Sequence, residues 1–194
     1  MSATHFQLEP LRAFRAARIL AADPDQLPQV FTLIESLSWN TLDRVHERMR
    51  ASVEGRRLLA EQPDVVPVLA DRAALAQLPE GSLGREYLRF VEAEGISAQG
   101  IRDAADAGME REAELPDRLR YVHRRLRDTH DLWHAAVGYR GDVLGETALL
   151  AFSLAQTKNP AIGLIVGIGL TKTLHAPEAR RVILDGYRRG REAA

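Results

Sequence analysis

The chain has 194 residues, 26 of them basic and 27 acidic, a formal net charge of -1, and no cysteine. That balance gives no electrostatic footing for nucleic acid or another polyanion. The missing thiols exclude disulfides, thiolate catalysis and sulfur ligation of a metal, and they fit a reducing cytoplasm. One domain over residues 1–194 is expected, since a chain of this size buries about 70% of the surface its unfolded form exposes.

Residues 1–10 carry Glu9 and lack the apolar run of a secretory signal, so the mature chain is expected to start here. Leu11 to Ala22 has a helical pattern with Arg12, Arg15 and Arg18 at three-residue steps, read as a solvated face or, alternatively, a weak basic surface. Pro28 suits a first helical turn, and Val30, Phe31, Leu33, Ile34 and Leu37 form the apolar stripe of a second helix. Thr41 is a cap candidate for a third, through Leu42, Val45 and Met49. Trp39 and His46 have no companion at ligand spacing and are assigned to packing and surface.

Pro63 and Pro67 predict an extended or tightly turned stretch from Gln62 to Leu69. Asp71 opens a short helix that stops before Pro79. Ser82 caps another, carrying Leu83, Tyr87, Leu88 and Val91 and ending near Gly95. Gly95 to Leu115, with Asp103, Asp106, Glu110 and Glu112, reads as a surface helix and loop rather than a carboxylate site.

The chemistry concentrates between Arg120 and Gln156. At about 100° per residue, His130, His134 and Asp131 fall at roughly 0°, 40° and 100° on one helical face. Leu119, Val122, Leu126, Trp133 and Val137 form an apolar stripe beside them. Gly138 and Gly141 interrupt this helix, Asp142 caps the next, and Glu146 shares a face with Leu149, Leu150 and Ser153. In a hairpin, His134 lies about one turn before the bend and Glu146 about one turn after it, so the two can meet.

An inward carboxylate left ionised without a partner costs several kcal/mol. One divalent metal (zinc, iron or manganese) on His130, Asp131, His134 and Glu146 removes that cost and suits N/O ligands. Asp131 or Glu146 can instead orient a histidine. The competing reading is an inert, satisfied His–carboxylate hydrogen-bond network. Arg127, on the same face, is a candidate to neutralise a substrate carboxylate or phosphate. His123, about 10 Å along the helix from His130, is too far to share its metal but can line the same pocket.

Asn159 to Thr171 carries no charge. At thirteen residues it is shorter than the roughly 20 that span a bilayer, so it reads as a buried helix, a lipid-facing surface, or both. Gly163 and Gly167, four apart, allow close helix approach. Pro177 starts a final amphipathic helix with Val182, Ile183 and Tyr187 inward. No segment alternates as a strand would, so the expected fold is all-α: an irregular bundle of about seven to nine helices with a central antiparallel hairpin carrying the metal motif.

The run Arg125-Leu126-Arg127-Asp128-Thr129-His130-Asp131-Leu132-Trp133-His134, followed by Gly138 and Gly145-Glu146, resembles the H-D-x-x-H...E signature of the ubiquinone (coenzyme Q) biosynthesis protein 4 family. Leu78-Pro79-Glu80-Gly81-Ser82-Leu83-Gly84-Arg85-Glu86-Tyr87 resembles that family's second recurrent stretch. The resemblance runs roughly from Leu78 to Pro160, and Tyr187-Arg188-Arg189-Gly190-Arg191 matches a terminal basic-glycine segment in outline.

The resemblance implies a role in ubiquinone biosynthesis, with His130, Asp131, His134 and Glu146 acting on a polyprenylated hydroxybenzoate ring. Its carbon 1 carboxylate would be replaced by hydroxyl in an oxidative decarboxylation. Such chemistry needs iron, manganese or a ring that reacts with oxygen itself, because zinc is not redox active. The alternative implied function is a non-catalytic, polyprenyl-lipid-binding organiser of a ubiquinone biosynthetic complex. Either reading expects an isoprenoid ligand, contact with other ubiquinone biosynthesis proteins, and a cytoplasmic site peripheral to the inner face of the membrane.

Overall fold

The structure is a computed structural model that describes residues 9–23, 26–38, 40–103 and 112–193. Trp39, Asp106 and Glu110 lie outside the described residues. Within them every regular element is helical and no strand occurs: α1 (Pro10–Ala22), α2 (Leu27–Leu37), α3 (Thr41–Ala51), α4 (Val53–Glu61), α5 (Val66–Ala70), α6 (Arg72–Ala76), α7 (Leu83–Glu94), a 3-10 turn (Glu112–Glu114), α8 (Asp117–Asp128), α9 (His130–Val137), α10 (Val143–Thr157), α11 (Pro160–Lys172) and α12 (Pro177–Glu192). These twelve α-helices among the described residues exceed the expected seven to nine, because short polar breaks divide what apolar periodicity joins.

Side-chain caps set several of the helix starts. Ser52, Asp71, Ser82 and Asp142 each accept a backbone N–H from the third residue on, starting α4, α6, α7 and α10. Gly95 and Gly138 end α7 and α9 in the left-handed conformation, with φ of 68° and 77°. Thr41 is not the cap expected. It is the first residue of α3, buried, and Asn40 holds the cap position. The stretch expected to be extended or tightly turned is irregular through Val65 and then forms the short helix α5, with Pro67 in its first turn, where its missing N–H costs nothing.

One break bears on the site. Apolar spacing runs on past Asp128, yet the helix divides at Thr129, at φ -97° and ψ 4°. Its hydroxyl donates to the Arg125 carbonyl at 2.7 Å and accepts the Trp133 indole N–H at 3.2 Å. A side chain that competes for a backbone carbonyl in this way bends a helix. Trp133, expected in the core stripe, is instead 40% exposed.

Four apolar clusters hold the helices. Ala13, Ala16 and Leu20 of α1 meet Leu33 of α2 and Ala161 of α11. Leu42 of α3 packs with Leu119 and Val122 of α8. Tyr87, Leu88 and Val91 of α7 join α5 and α6, with Leu132 and Ala135 of α9 laid against them. Ala151 of α10, Ile162 and Val166 of α11 and Ile183 of α12 form the fourth. The two hairpin helices touch near their bend, while α9 packs mainly on α7 and α10 mainly on α12.

The glycines sit differently from expectation. A Cβ at Gly167 would have no neighbour within 4 Å, and one at Gly163 would meet only Leu154 at ordinary contact distance. The close approach is made by Gly186 and Gly190 of α12, whose missing side chains lie over the Ala148 and Phe152 carbonyls of α10. Tyr187, expected inward, is 37% exposed, because the inner face of α12 is Ile183, Gly186 and Gly190. No helix among the described residues is long and apolar enough to cross a membrane.

Candidate metal centre

His130 and His134 are one turn apart in α9, so their rings lie on the same side, with centroids 4.9 Å apart and planes at 69°. Glu146 stands in the first turn of α10. Gly145 permits that placement, since a Cβ there would collide with the Arg140 carbonyl oxygen across the bend. The Glu146 carboxylate reaches both rings, with Oε1 3.2 Å from His134 Nε2 and Oε2 3.5 Å from His130 Nε2. One atom from each of the three lies within 4.8 Å of the others, the one such group of three or more among the described residues.

The opposite side of each ring is also held. His134 Nδ1 is 3.0 Å from the Tyr139 carbonyl. A carbonyl can only accept, so Nδ1 carries a proton and Nε2 is the ring nitrogen that faces Glu146. His130 Nδ1 is 3.1 Å from Asp131 Oδ1, the same arrangement with a carboxylate. Phe90 of α7 stacks on the His134 ring at 4.9 Å and 9°. The His134 side chain is fully buried, while those of His130 and Glu146 are 28% and 38% exposed, so the centre opens on the His130–Glu146 side.

The electrostatics favour positive charge between the rings. Burial alone would lower His130, but hydrogen bonds to Asp131 and Glu146 outweigh it and lift the imidazole to about 10. Burial would raise Glu146, but the attraction of the two imidazoles beside it prevails and holds it at about 2. Meanwhile His134 Nε2 is a buried polar atom with no hydrogen bond of acceptable geometry. Two imidazole nitrogens and a carboxylate oxygen, one nitrogen otherwise unsatisfied, fit zinc, iron or manganese and leave coordination positions free.

His130, Asp131 and Glu146 lie on the wall of a cavity of about 1250 Å³. The rest of the wall is mostly apolar: Val30, Phe31 and Ile34 of α2, Leu42 and Val45 of α3, Leu150 and Phe152 of α10, and Ile162, Ile165 and Ile168 of α11. The charge-free run is thus a cavity wall on one side and core on the other. The space exceeds the roughly 300–1,000 Å³ common for compact small-molecule ligands.

Asp131 approaches the far side of His130 and stands outside the converging trio. It also neighbours Tyr87, a phenol that burial, and secondarily the Asp131 charge, push up to about 12. Arg127 lines the cavity, but its Nε donates to Asp128 at 2.7 Å and its Nη1 to Glu112 at 3.1 Å. The break at Thr129 separates Arg127 from the helix that carries the histidines, and its charge is matched by protein carboxylates. His123 lines the same cavity and, with Arg127, holds Glu112 below the usual carboxylate range.

Two contributors escaped the sequence reading of the site: the Tyr139 carbonyl and the stacking of the Phe90 ring on His134. Phe90 follows Tyr87 by three residues on a helical face, a spacing that says buried without saying against what. A backbone carbonyl leaves no sequence signal at all.

Fold and site together define an all-α protein with a paired-histidine, single-carboxylate centre beside a large apolar cavity. Residues 4–187 match the family model for Coenzyme Q (ubiquinone) biosynthesis protein Coq4. The chain belongs to that family. It is 34% identical over 147 residues to the mitochondrial ubiquinone biosynthesis protein COQ4 homolog of Danio rerio, covering 76% of this chain and 52% of that protein. To the Homo sapiens homolog it is 32% identical over 160 residues, 80% and 58% of the two chains. The chain therefore spans a little over half the length of these curated relatives. The crystal structure of a Nostoc punctiforme PCC 73102 protein, described as a ubiquinone biosynthesis candidate, superposes with a TM-score of 0.62 at 23% identity, over 96% of this chain and 84% of that one. This last likeness bears on the fold alone.

Proposed function

We propose that the chain holds one divalent metal on His130, His134 and Glu146 and acts in ubiquinone biosynthesis on a polyprenylated hydroxybenzoate, exchanging the carbon 1 carboxylate for hydroxyl. The observation that carries this reading is the convergence of three ligand atoms, two of whose residues, His130 and Glu146, lie on the wall of a large apolar cavity. A reactive ring sits at the polar centre while its prenyl tail lies among α2, α10 and α11, where each buried CH2 contributes about 0.8 kcal/mol.

Within the chain the roles divide simply. His134, buried and oriented by Tyr139 and Phe90, is the fixed ligand. His130 and Glu146, on the open side, hold the metal where substrate enters, and Asp131 orients His130. Arg127 braces the cavity wall through Asp128 and Glu112. When bound, iron or manganese supplies electron transfer with dioxygen, and zinc supplies Lewis-acid polarisation alone. The exchange releases carbon dioxide and installs one oxygen atom at carbon 1. With dioxygen as the oxidant, its second atom leaves as water, taking two electrons and two protons from an external two-electron reductant. Other ubiquinone biosynthesis proteins and a peripheral position at the membrane fit the delivery of so apolar a substrate.

A second reading has its own observation. His130 lifted to about 10 facing Glu146 held at about 2 is already a charge-balanced pair, as an inert network in a lipid-binding organiser would be. Cells relying on Glu146→Gln separate the two. Accumulation of the carboxylated polyprenyl precursor beside a folded variant is the enzyme's signature. Normal ubiquinone from a folded Glu146→Gln would leave only the organiser.

A further inference from the structure

We propose that Arg189, in the terminal helix, is a positioning residue for His134. Gly186 and Gly190 let α12 lie directly on the α10 backbone, and the Gln156 side-chain amide fixes the register by donating to the Gly190 carbonyl at 2.5 Å. That contact delivers the half-buried Arg189 to the other ligand-bearing helix. Its Nη1 donates to the Val137 carbonyl at 2.8 Å, and its guanidinium carbon stands 5.3 Å from the centroid of the Tyr139 ring.

The two contacts grip both sides of Gly138. Val137 ends α9, so its carbonyl has no partner within the helix, and a cation there also complements the helix dipole. Gly138, at φ 77°, reverses the chain, and the next residue returns its carbonyl to His134 Nδ1. A guanidinium can bond a carbonyl and stack on an aromatic ring at once. Where the Tyr139 carbonyl sits decides the direction and tautomer of the His134 ring. The terminal basic-glycine segment thus acts as a strut: its glycines seat α12 on the helix of Glu146 and its arginine steadies the turn behind His134.

The inference borrows the metal reading for one of its two readouts. The experiment compares wild type, Arg189→Gln and Arg189→Met, with Arg188→Gln as control, since among the described residues Arg188 pairs with Asp185 and Glu192 on the exposed face. Cobalt(II) titration measures affinity, and 15N chemical shifts of the histidine rings in metal-free protein report the His134 Nδ1 hydrogen bond. Folded Arg189 variants are expected to bind cobalt roughly tenfold more weakly, the lower end for residues that orient ligands, and to shift the His134 signal, with Arg188→Gln unchanged. An unmoved His134 signal in a folded Arg189 variant overturns the proposal whatever the affinity does. So does failure of both variants to fold, which would make the clamp a stability device. If wild type binds no cobalt, the metal reading falls and the His134 shift alone decides the strut.

Discussion

Replacing Glu146 by Gln keeps the size of the side chain and removes its charge and one ligand oxygen. Without metal the loss is small. Glu146 is one of two carboxylates that lift His130, its side chain is 38% exposed, and solvent screening reduces the pair to about 1 kcal/mol. Losing an acidic group in the first turn of α10 adds about 0.5 kcal/mol. For a chain of this size that lowers Tm by only a few degrees. With metal the loss is large, because residues that merely orient ligands are worth about 10–100-fold in affinity, and a direct ligand exceeds that range. The expected fall is beyond about 100-fold, or about 2.8 kcal/mol. Thermal melts with and without chelator, alongside cobalt or iron titration, separate the two terms. A variant that binds within threefold of wild type, or that unfolds without metal, refutes the ligand assignment.

The pH dependence follows from the same pair. His130 is raised to about 10, so its share of metal-free stability is complete below its ordinary value near 6.5 and drains away as pH climbs through 10. Glu146, held at about 2, contributes fully above about 4.5 and loses its share as pH falls through 2. Metal must displace the His130 proton, so apparent affinity should rise up to tenfold per pH unit between pH 6 and 8; a flat profile by calorimetry would mean that His130 is not a ligand. Gly190→Ala should cost about 2 kcal/mol by overpacking against the Phe152 carbonyl and lower Tm by several degrees. Gly167→Ala, with open space around it in mid-helix, should gain about 0.5–1 kcal/mol in the same melt. Ile165→Asp, on the cavity wall, should abolish binding of a fluorescent polyprenyl probe, while Leu164→Asp, 42% exposed, should leave it intact.

Local chemistry determined much of this protein before any packing. Apolar residues recurring at helical spacing required an all-α chain. Ser82, Asp71 and Asp142 marked helix starts because a short oxygen-bearing side chain satisfies the exposed N–H groups of a first turn. His130 and His134 had to share a face because 3.6 residues complete a turn, and a short glycine-marked bend brought Glu146 within reach. The tertiary structure decided what periodicity cannot encode. Thr129 breaks a helix whose apolar stripe continues, and Arg127, before that break, pairs with Asp128 and Glu112 while lining the same cavity as His130. Gly163 and Gly167 share the spacing of Gly186 and Gly190, yet only the second pair meets a neighbouring backbone, because close approach belongs to two helices and spacing to one. The Tyr139 carbonyl that orients His134 is a backbone atom every residue possesses; its role comes from position alone.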